Sequence, residues 1–194
     1  MRKLVPALAA FMLAALLAPQ ATASSEMLTG SIAPAPIGHK QFCRSYPEEC
    51  RVRSSNTAAT ELTRERWQEL VRINTGVNEA IEPVTDAEFY ATEEFWTYPG
   101  GYGDCEDYVL LKRQLLMKQG WPASSLLITV VRQRDGSGHA VLTVRTTRGD
   151  FVLDNLDWRV RPWAETPYRF VRRQSASHSG RWRAIRDKRS RLGS

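Results

Sequence analysis

Long apolar runs are scarce in this sequence. The longest, from about Leu4 to Ala18, is interrupted by Pro6 and closed by Pro19, and it falls short of the roughly 20 residues that a bilayer-spanning helix requires. A membrane anchor is thereby the weaker reading at that position. Arg2 and Lys3 precede the run and a small-residue Ala21-Thr22-Ala23 site follows it, the pattern of a secretory signal peptide cleaved after Ala23. The expected location is periplasmic or secreted.

Cysteine and histidine are also scarce, with three of each. An exported chain meets oxidising conditions in which disulfides persist, and an odd number of cysteines leaves one over. Cys43 and Cys50, in "FCRSYPEEC", are close enough to bridge around Pro47, whereas Cys105 stands in another setting. The economical pairing is Cys43 with Cys50. Zinc held by His39 and these two cysteines is the alternative, but a closed structural site needs a fourth ligand that the spacing does not supply. Internal repeats are absent. Removal of 23 residues leaves 171 of the 194, which fits one domain able to bury its own core.

Charge is unevenly distributed. From Arg172 onward eight Arg and Lys stand against Asp187, a net +7, so residues 1–171 carry −1 of the formal +6. With its Ser and Gly, 172–194 reads as a flexible, solvated basic arm, suited to anionic lipid headgroups or an acidic partner. Nucleic acid is not expected for an exported protein. Residues 24–40, rich in Ser, Pro and Gly, read as an extended leader, which leaves 41–171 as the domain.

Within 59–81, Leu62, Trp67, Leu70, Val71, Asn74, Val77 and Ile81 recur at helical spacing. Thr57 is a candidate cap, and Gly76 leaves one bent helix or two short ones open. A loop-rich stretch ending in Pro99 and several glycines leads to "CEDYVLLKRQLLMKQGWP", a helix with Asp104 as N-cap candidate and a Gly120 to Pro122 stop. Three β segments follow at 125–133, 139–146 and 151–155, separated by "RDGSG" and "TRGD". A helix followed by an antiparallel sheet makes an α+β domain.

The unpaired cysteine falls in the first turn of that helix. There the unpaired N–H groups and positive dipole end favour a thiolate and can donate to an oxyanion, although a small buried cysteine on a helix face is equally common. Its neighbours Asp104, Glu106 and Asp107 oppose a thiolate. His139 is the one histidine within 41–171, and Asp154 sits in the apolar run "FVLDN", where an ionised carboxylate needs a partner. Cys, His and Asp supply attacking sulfur, proton carrier and imidazole-orienting acceptor. The hairpin register bears on the acid. A two-residue Arg148-Gly149 loop would set Thr143 opposite Asp154 and Ala140 opposite Asp157, bringing Asp157 nearer His139, whereas a wider turn shifts that pairing.

The ordered set "FCRSYPEEC", "FWTYP" (95–99), "GDCEDY" (103–108), "GHAVLTV" (138–144) and "FVLDN" (151–155) resembles the bacterial transglutaminase-like cysteine proteinases of the LapG type, over about residues 38–165. The resemblance implies a papain-like transglutaminase core, with the helix that carries the nucleophile packed on an antiparallel sheet. It matches Cys105, His139 and Asp154 to nucleophile, base and orienting acid. It also implies Ca²⁺ at Asp104 and Glu106, with Asp107 a third candidate ligand. In the mechanism this suggests, the Cys105 N–H holds the oxyanion, with the Trp96 indole a candidate second donor. The implied partners are an envelope protein substrate such as a large adhesin and an inner-membrane receptor that sequesters the protease, itself a monomer. A non-catalytic module holding an extended segment, or an acyltransferase using the same triad, are the alternatives.

Overall fold

In "GHAVLTVRT" successive side chains leave opposite faces of a strand, and both faces are buried. Ala140, Leu142 and Val144 join a cluster with Leu70, Val77, Tyr108, Val109 and Leu116. Val141 belongs to a second cluster with Val131, Val152, Trp163 and Phe170. The segment is therefore a central strand between two apolar layers.

The computed structural model describes residues 26–92 and 94–189; the expected signal peptide lies outside them. In chain order the elements are β1 (Thr29–Ala33), α1 (Ile37–Ser45), α2 (Pro47–Cys50), α3 (Arg64–Ala80), β2 (Glu82–Pro83), α4 (Asp86–Tyr90), β3 (Tyr102–Gly103), α5 (Cys105–Lys118), β4 (Leu126–Arg132), β5 (Gly138–Thr146), β6 (Gly149–Leu153), β7 (Arg161–Pro162), β8 (Arg169–Ser175) and β9 (His178–Ile185). Seven strands form one antiparallel sheet in the order β1-β9-β8-β4-β5-β6-β7. Helix α5 packs on β5 and against α3, which is the α+β arrangement expected. Among the described residues no helix is long and apolar enough to cross a membrane.

Local chemistry sets the elements that matter for the site. Helix α3 is one uninterrupted helix, and its cap is Thr63, which accepts from the Arg66 amide at 3.2 Å; Thr57 instead offers its carbonyl to Arg145. Helix α5 starts after Asp104 in extended conformation and carries Glu106 and Asp107 in its first turn, favourably placed against the positive end of the helix. It stops where Gly120 takes φ +85°. The β5–β6 turn comes one residue earlier than an Arg148-Gly149 loop. Thr146 pairs with Gly149 and Leu142 with Leu153, because the Thr146 hydroxyl donates to the Gly149 carbonyl at 2.7 Å and accepts from the Arg148 amide at 3.1 Å. Gly149 takes φ +106° there.

Two expectations about the chain ends are corrected. The leader is not merely extended: β1 pairs with β9, and α1 begins at Ile37. The basic stretch from Arg172 is not a flexible arm over 172–185, where β8 and β9 form two antiparallel strands of the main sheet. Trp182 is 1% exposed, and its indole N–H donates to His39 Nδ1 at 3.3 Å. Trp182 turns inward between the more exposed Arg181 and Arg183, and the arginines hide that packing in the composition. His39 is thus a core residue. Cys43 and Cys50 form a disulfide, so neither sulfur is a thiolate available to zinc.

Candidate active site

Cys105 is the first residue of α5, so its backbone N–H belongs to the unpaired donors of a helix start. It is half-buried and is the free cysteine among the described residues. Helix α5 packs on β5, and the Ala140 amide of β5, next in sequence to His139, favours the thiolate at this sulfur. The thiol donates to Glu106 Oε2 at 3.1 Å. Burial first, then the Glu106 and Asp104 carboxylates, push the thiol pKa well up, with the Ala140 amide opposing them.

His139 Nε2 bonds to Asp154 Oδ1 at 2.8 Å, and both side chains are buried. With Nε2 committed to a carboxylate, Nδ1 is the ring nitrogen left to exchange a proton. The second carboxylate oxygen accepts the Tyr168 hydroxyl, and Oδ1 also accepts the Leu156 amide at 3.0 Å. Burial pulls the Asp154 pKa upward, but the His139 contact and the Tyr168 hydroxyl outweigh it and the net shift is down. Asp157 is not at His139. Its carboxylate is taken by Arg159 and Arg161.

The turn after β6 is held from α3. Asn74, fully buried, accepts the Asp154 amide at 3.1 Å and donates to the carbonyls of Asp157 at 3.0 Å and Trp158 at 3.1 Å. One helical turn on, Asn78 donates to the Asp154 carbonyl at 2.8 Å. Two polar residues four apart on one face therefore fix the acid's backbone. Asn74 was visible in the sequence only as a polar residue inside an apolar stripe.

The acidic neighbours divide into two groups. Carboxylate oxygens of Asp86, Asp104 and Asp107 lie within 4.8 Å of one another, and Asp104 and Glu106 form a second set with Cys105. Asp86 comes from α4 and was not singled out from the sequence. Main-chain amides anchor the first group: Phe95 donates to Asp86, and Thr97 to Asp107 Oδ1 at 3.0 Å. Yet Asp104 Oδ1 and Asp107 Oδ2 are buried without a hydrogen-bond partner. Burial, with Asp104 and Asp86 adding to it, raises Asp107 to about 7; burial and then Asp104 raise Glu106 to about 9. Gly103 is required beside this cluster, since a Cβ there would lie 2.7 Å from Asp107 Oδ2. Converging carboxylates with orphaned oxygens fit a hard, oxygen-seeking cation such as Ca²⁺.

Trp96 is buried with its indole N–H packed against Gly38 of α1, without a hydrogen-bond partner. That is a packing placement, closed to an incoming oxyanion.

The family model of the bacterial transglutaminase-like cysteine proteinases matches residues 29–190. The chain belongs to this family. Among solved structures, calcium-bound LapG of Legionella pneumophila is similar in fold, with TM-score 0.53 and 24% identity over 63% of this chain and 70% of that one. Another LapG structure from that organism and its EGTA-treated form each give TM-score 0.50 and 26% identity over 56% of this chain. These two matches span 63% of the LapG chain, less than two thirds of it. Comparison with curated proteins returns no match. The enzyme is a transglutaminase-like cysteine protease, and the family match takes in β8 and β9 along with the site.

Proposed function

We propose that this proteinase is a calcium-dependent endopeptidase in which Cys105, His139 and Asp154 form the catalytic triad. The observation that carries the reading is the buried His139–Asp154 contact, whose histidine lies on β5, the strand on which the helix opened by the free Cys105 packs. His139 Nδ1 takes the Cys105 proton while Asp154 holds the ring at Nε2 and favours the imidazolium. The sulfur attacks the scissile carbonyl, and the Cys105 backbone N–H donates to the oxyanion. Collapse expels the amine, which receives its proton from His139 and leaves a thioester on Cys105. His139 then takes a proton from water, whose oxygen attacks the thioester and releases the acid and the thiol.

Asp86, Asp104 and Asp107 are the residues suited to hold the cation, with Glu106 at the edge of the set. When bound, Ca²⁺ supplies positive charge among these carboxylates, just before the nucleophile. That LapG structures are named as calcium-bound and EGTA-treated supports the choice of Ca²⁺ as the cation. We infer further that the protease is exported after removal of residues 1–23, that its substrate is an envelope protein such as a large adhesin, and that a membrane receptor restrains it.

The test compares the envelope proteins of cells carrying the wild-type enzyme or Cys105→Ala. One protein should show a new N-terminus only with the wild type, and EGTA should suppress its appearance until calcium is restored. Full cleavage by purified Cys105→Ala overturns the triad; undiminished cleavage after exhaustive chelation overturns the calcium dependence.

A further inference from the structure

Along β5, Arg145 lies six residues beyond His139 near the far end of the strand, roughly 20 Å away at about 3.4 Å per residue. At that far end lies a cavity of about 250 Å³, lined by Arg145, Arg173 and Arg183 together with the hydroxyl-bearing Thr29, Ser175 and Ser177. None of these residues belongs to the catalytic or acidic groups.

Three arginines line one small space, and their charges repel each other unless anions balance them. Their internal compensation is incomplete. Arg173 is buried and donates to Asp150 Oδ2 at 2.9 Å and to the Met27 carbonyl at 3.2 Å, but its Nε is buried with no partner. Arg145 donates to backbone carbonyls, Thr57 at 2.7 Å and Ser124 at 3.5 Å, which carry no full charge. Arg183 forms no ion pair among the described residues. Asp150 stands in direct contact with Arg173, and Glu26 attracts Arg173 as well, which leaves three arginines facing two carboxylates. Burial, followed by the like charge of Arg145, holds Arg173 below its ordinary pKa even beside Asp150.

Arginine forks recognise planar and tetrahedral oxyanions through paired N–H donors, and hydroxyls between them complete a shell for an anion that accepts from several directions. The cavity is below the usual size for a drug-sized ligand. We propose that it binds a phosphate-class anion, taken as free inorganic phosphate or as the phosphomonoester of a lipid headgroup. The site is remote from Cys105, so it serves docking or regulation of the protease and not bond cleavage.

Calorimetric titration of the whole protein with inorganic phosphate, at ionic strength fixed with sodium chloride, should show saturable one-to-one binding. Arg183→Ala removes a half-buried side chain that forms no internal ion pair, so it should fold and bind at least about tenfold more weakly. Arg181→Ala, exposed and outside the cavity, should leave the affinity unchanged. Co-flotation with phosphatidic acid vesicles but not phosphatidylcholine vesicles, lost in Arg183→Ala and kept in Arg181→Ala, identifies a headgroup as the source. Phosphate binding without flotation identifies the free anion. The proposal is overturned if neither probe shows Arg183-dependent binding, or if Arg181→Ala weakens binding equally.

Discussion

Tyr168 donates its hydroxyl to the one Asp154 oxygen that His139 does not use. The acid is thereby gripped on both oxygens. The ring of Tyr168 also lies 5.3 Å from that of His139, centroid to centroid, so one side chain braces both partners of the Cys105 nucleophile. Tyr168 is a positioning residue in this arrangement, acting through Asp154.

Tyr168→Phe keeps the ring and deletes one charge-assisted hydrogen bond. A bond of that kind is worth about 1.5–3 kcal/mol in full, and only part of it reaches the transition state. The expected result is a kcat about five- to tenfold lower with KM little changed. Raised KM at constant kcat would instead make Tyr168 a substrate contact.

Asn74→Ala strips partners from the Asp154 amide and from two carbonyls in the 154–158 turn. Buried groups left unpaired make this costly, at about 2–4 kcal/mol of folding stability. The urea midpoint should fall accordingly, and kcat should fall in the surviving folded fraction because the acid loses its backbone anchor. Unaltered stability would mean that water replaces all three contacts.

Asp86→Asn separates two effects of the acidic group by their sign. Without a cation, neutralising one of three crowded carboxylates relieves repulsion, so Tm in EGTA should rise. With calcium present, the same change removes a ligand, so the calcium-induced gain in Tm should shrink and the apparent affinity should weaken about tenfold or more. Equal shifts in EGTA and in calcium would remove Asp86 from the metal set.

His39 gives a pH test away from the site. Burial, and then the Arg113 charge, lower its pKa from 6.5 to about 4. The unfolded chain therefore binds the extra proton between pH 6.5 and 4 while the folded one does not. Stability is insensitive to His39 above pH 6.5 and falls as pH drops through 6.5 toward 4, by about 3 kcal/mol in all. His39→Gln, which can still accept from the Trp182 indole, should flatten the fall in urea midpoint between pH 7 and 4. An identical slope in wild type and variant would contradict this account.

The legible parts of the site were those that sit at punctuation marks in the sequence. Cys105 opens a helix after a glycine-rich turn, His139 opens a strand after "DGSG", and Asp154 ends an apolar run; the ordered family motifs then linked them. What the sequence concealed was assembled across distance. Asp86 reaches Asp104 and Asp107 from another helix, and locally it reads only as part of the Thr85–Glu88 capping box. Tyr168 meets Asp154 across the β7–β8 connection. The hairpin register turned on a Thr146 hydroxyl bond, which no count of turn residues reveals. The arginine content of β8 and β9 mimicked a solvated arm because Arg172, Arg181 and Arg183 stay wholly or partly exposed while Trp182 carries the packing.

The β1–β9 pairing places constraints on how the chain reaches its final form. Thr29 meets Ile185, and Ala33 meets Trp182, so the first strand of the sheet has no neighbour until the last one has docked on β8. Contacts of such long sequence separation form late and slowly. Until β9 is in place, His39 lacks the Trp182 indole N–H and β8 has one open edge. The nucleophile's helix and its central strands can assemble without that step, so a nascent or clipped chain lacking β9 holds a partly built catalytic half with an exposed seam, vulnerable to proteolysis and to pairing with other chains.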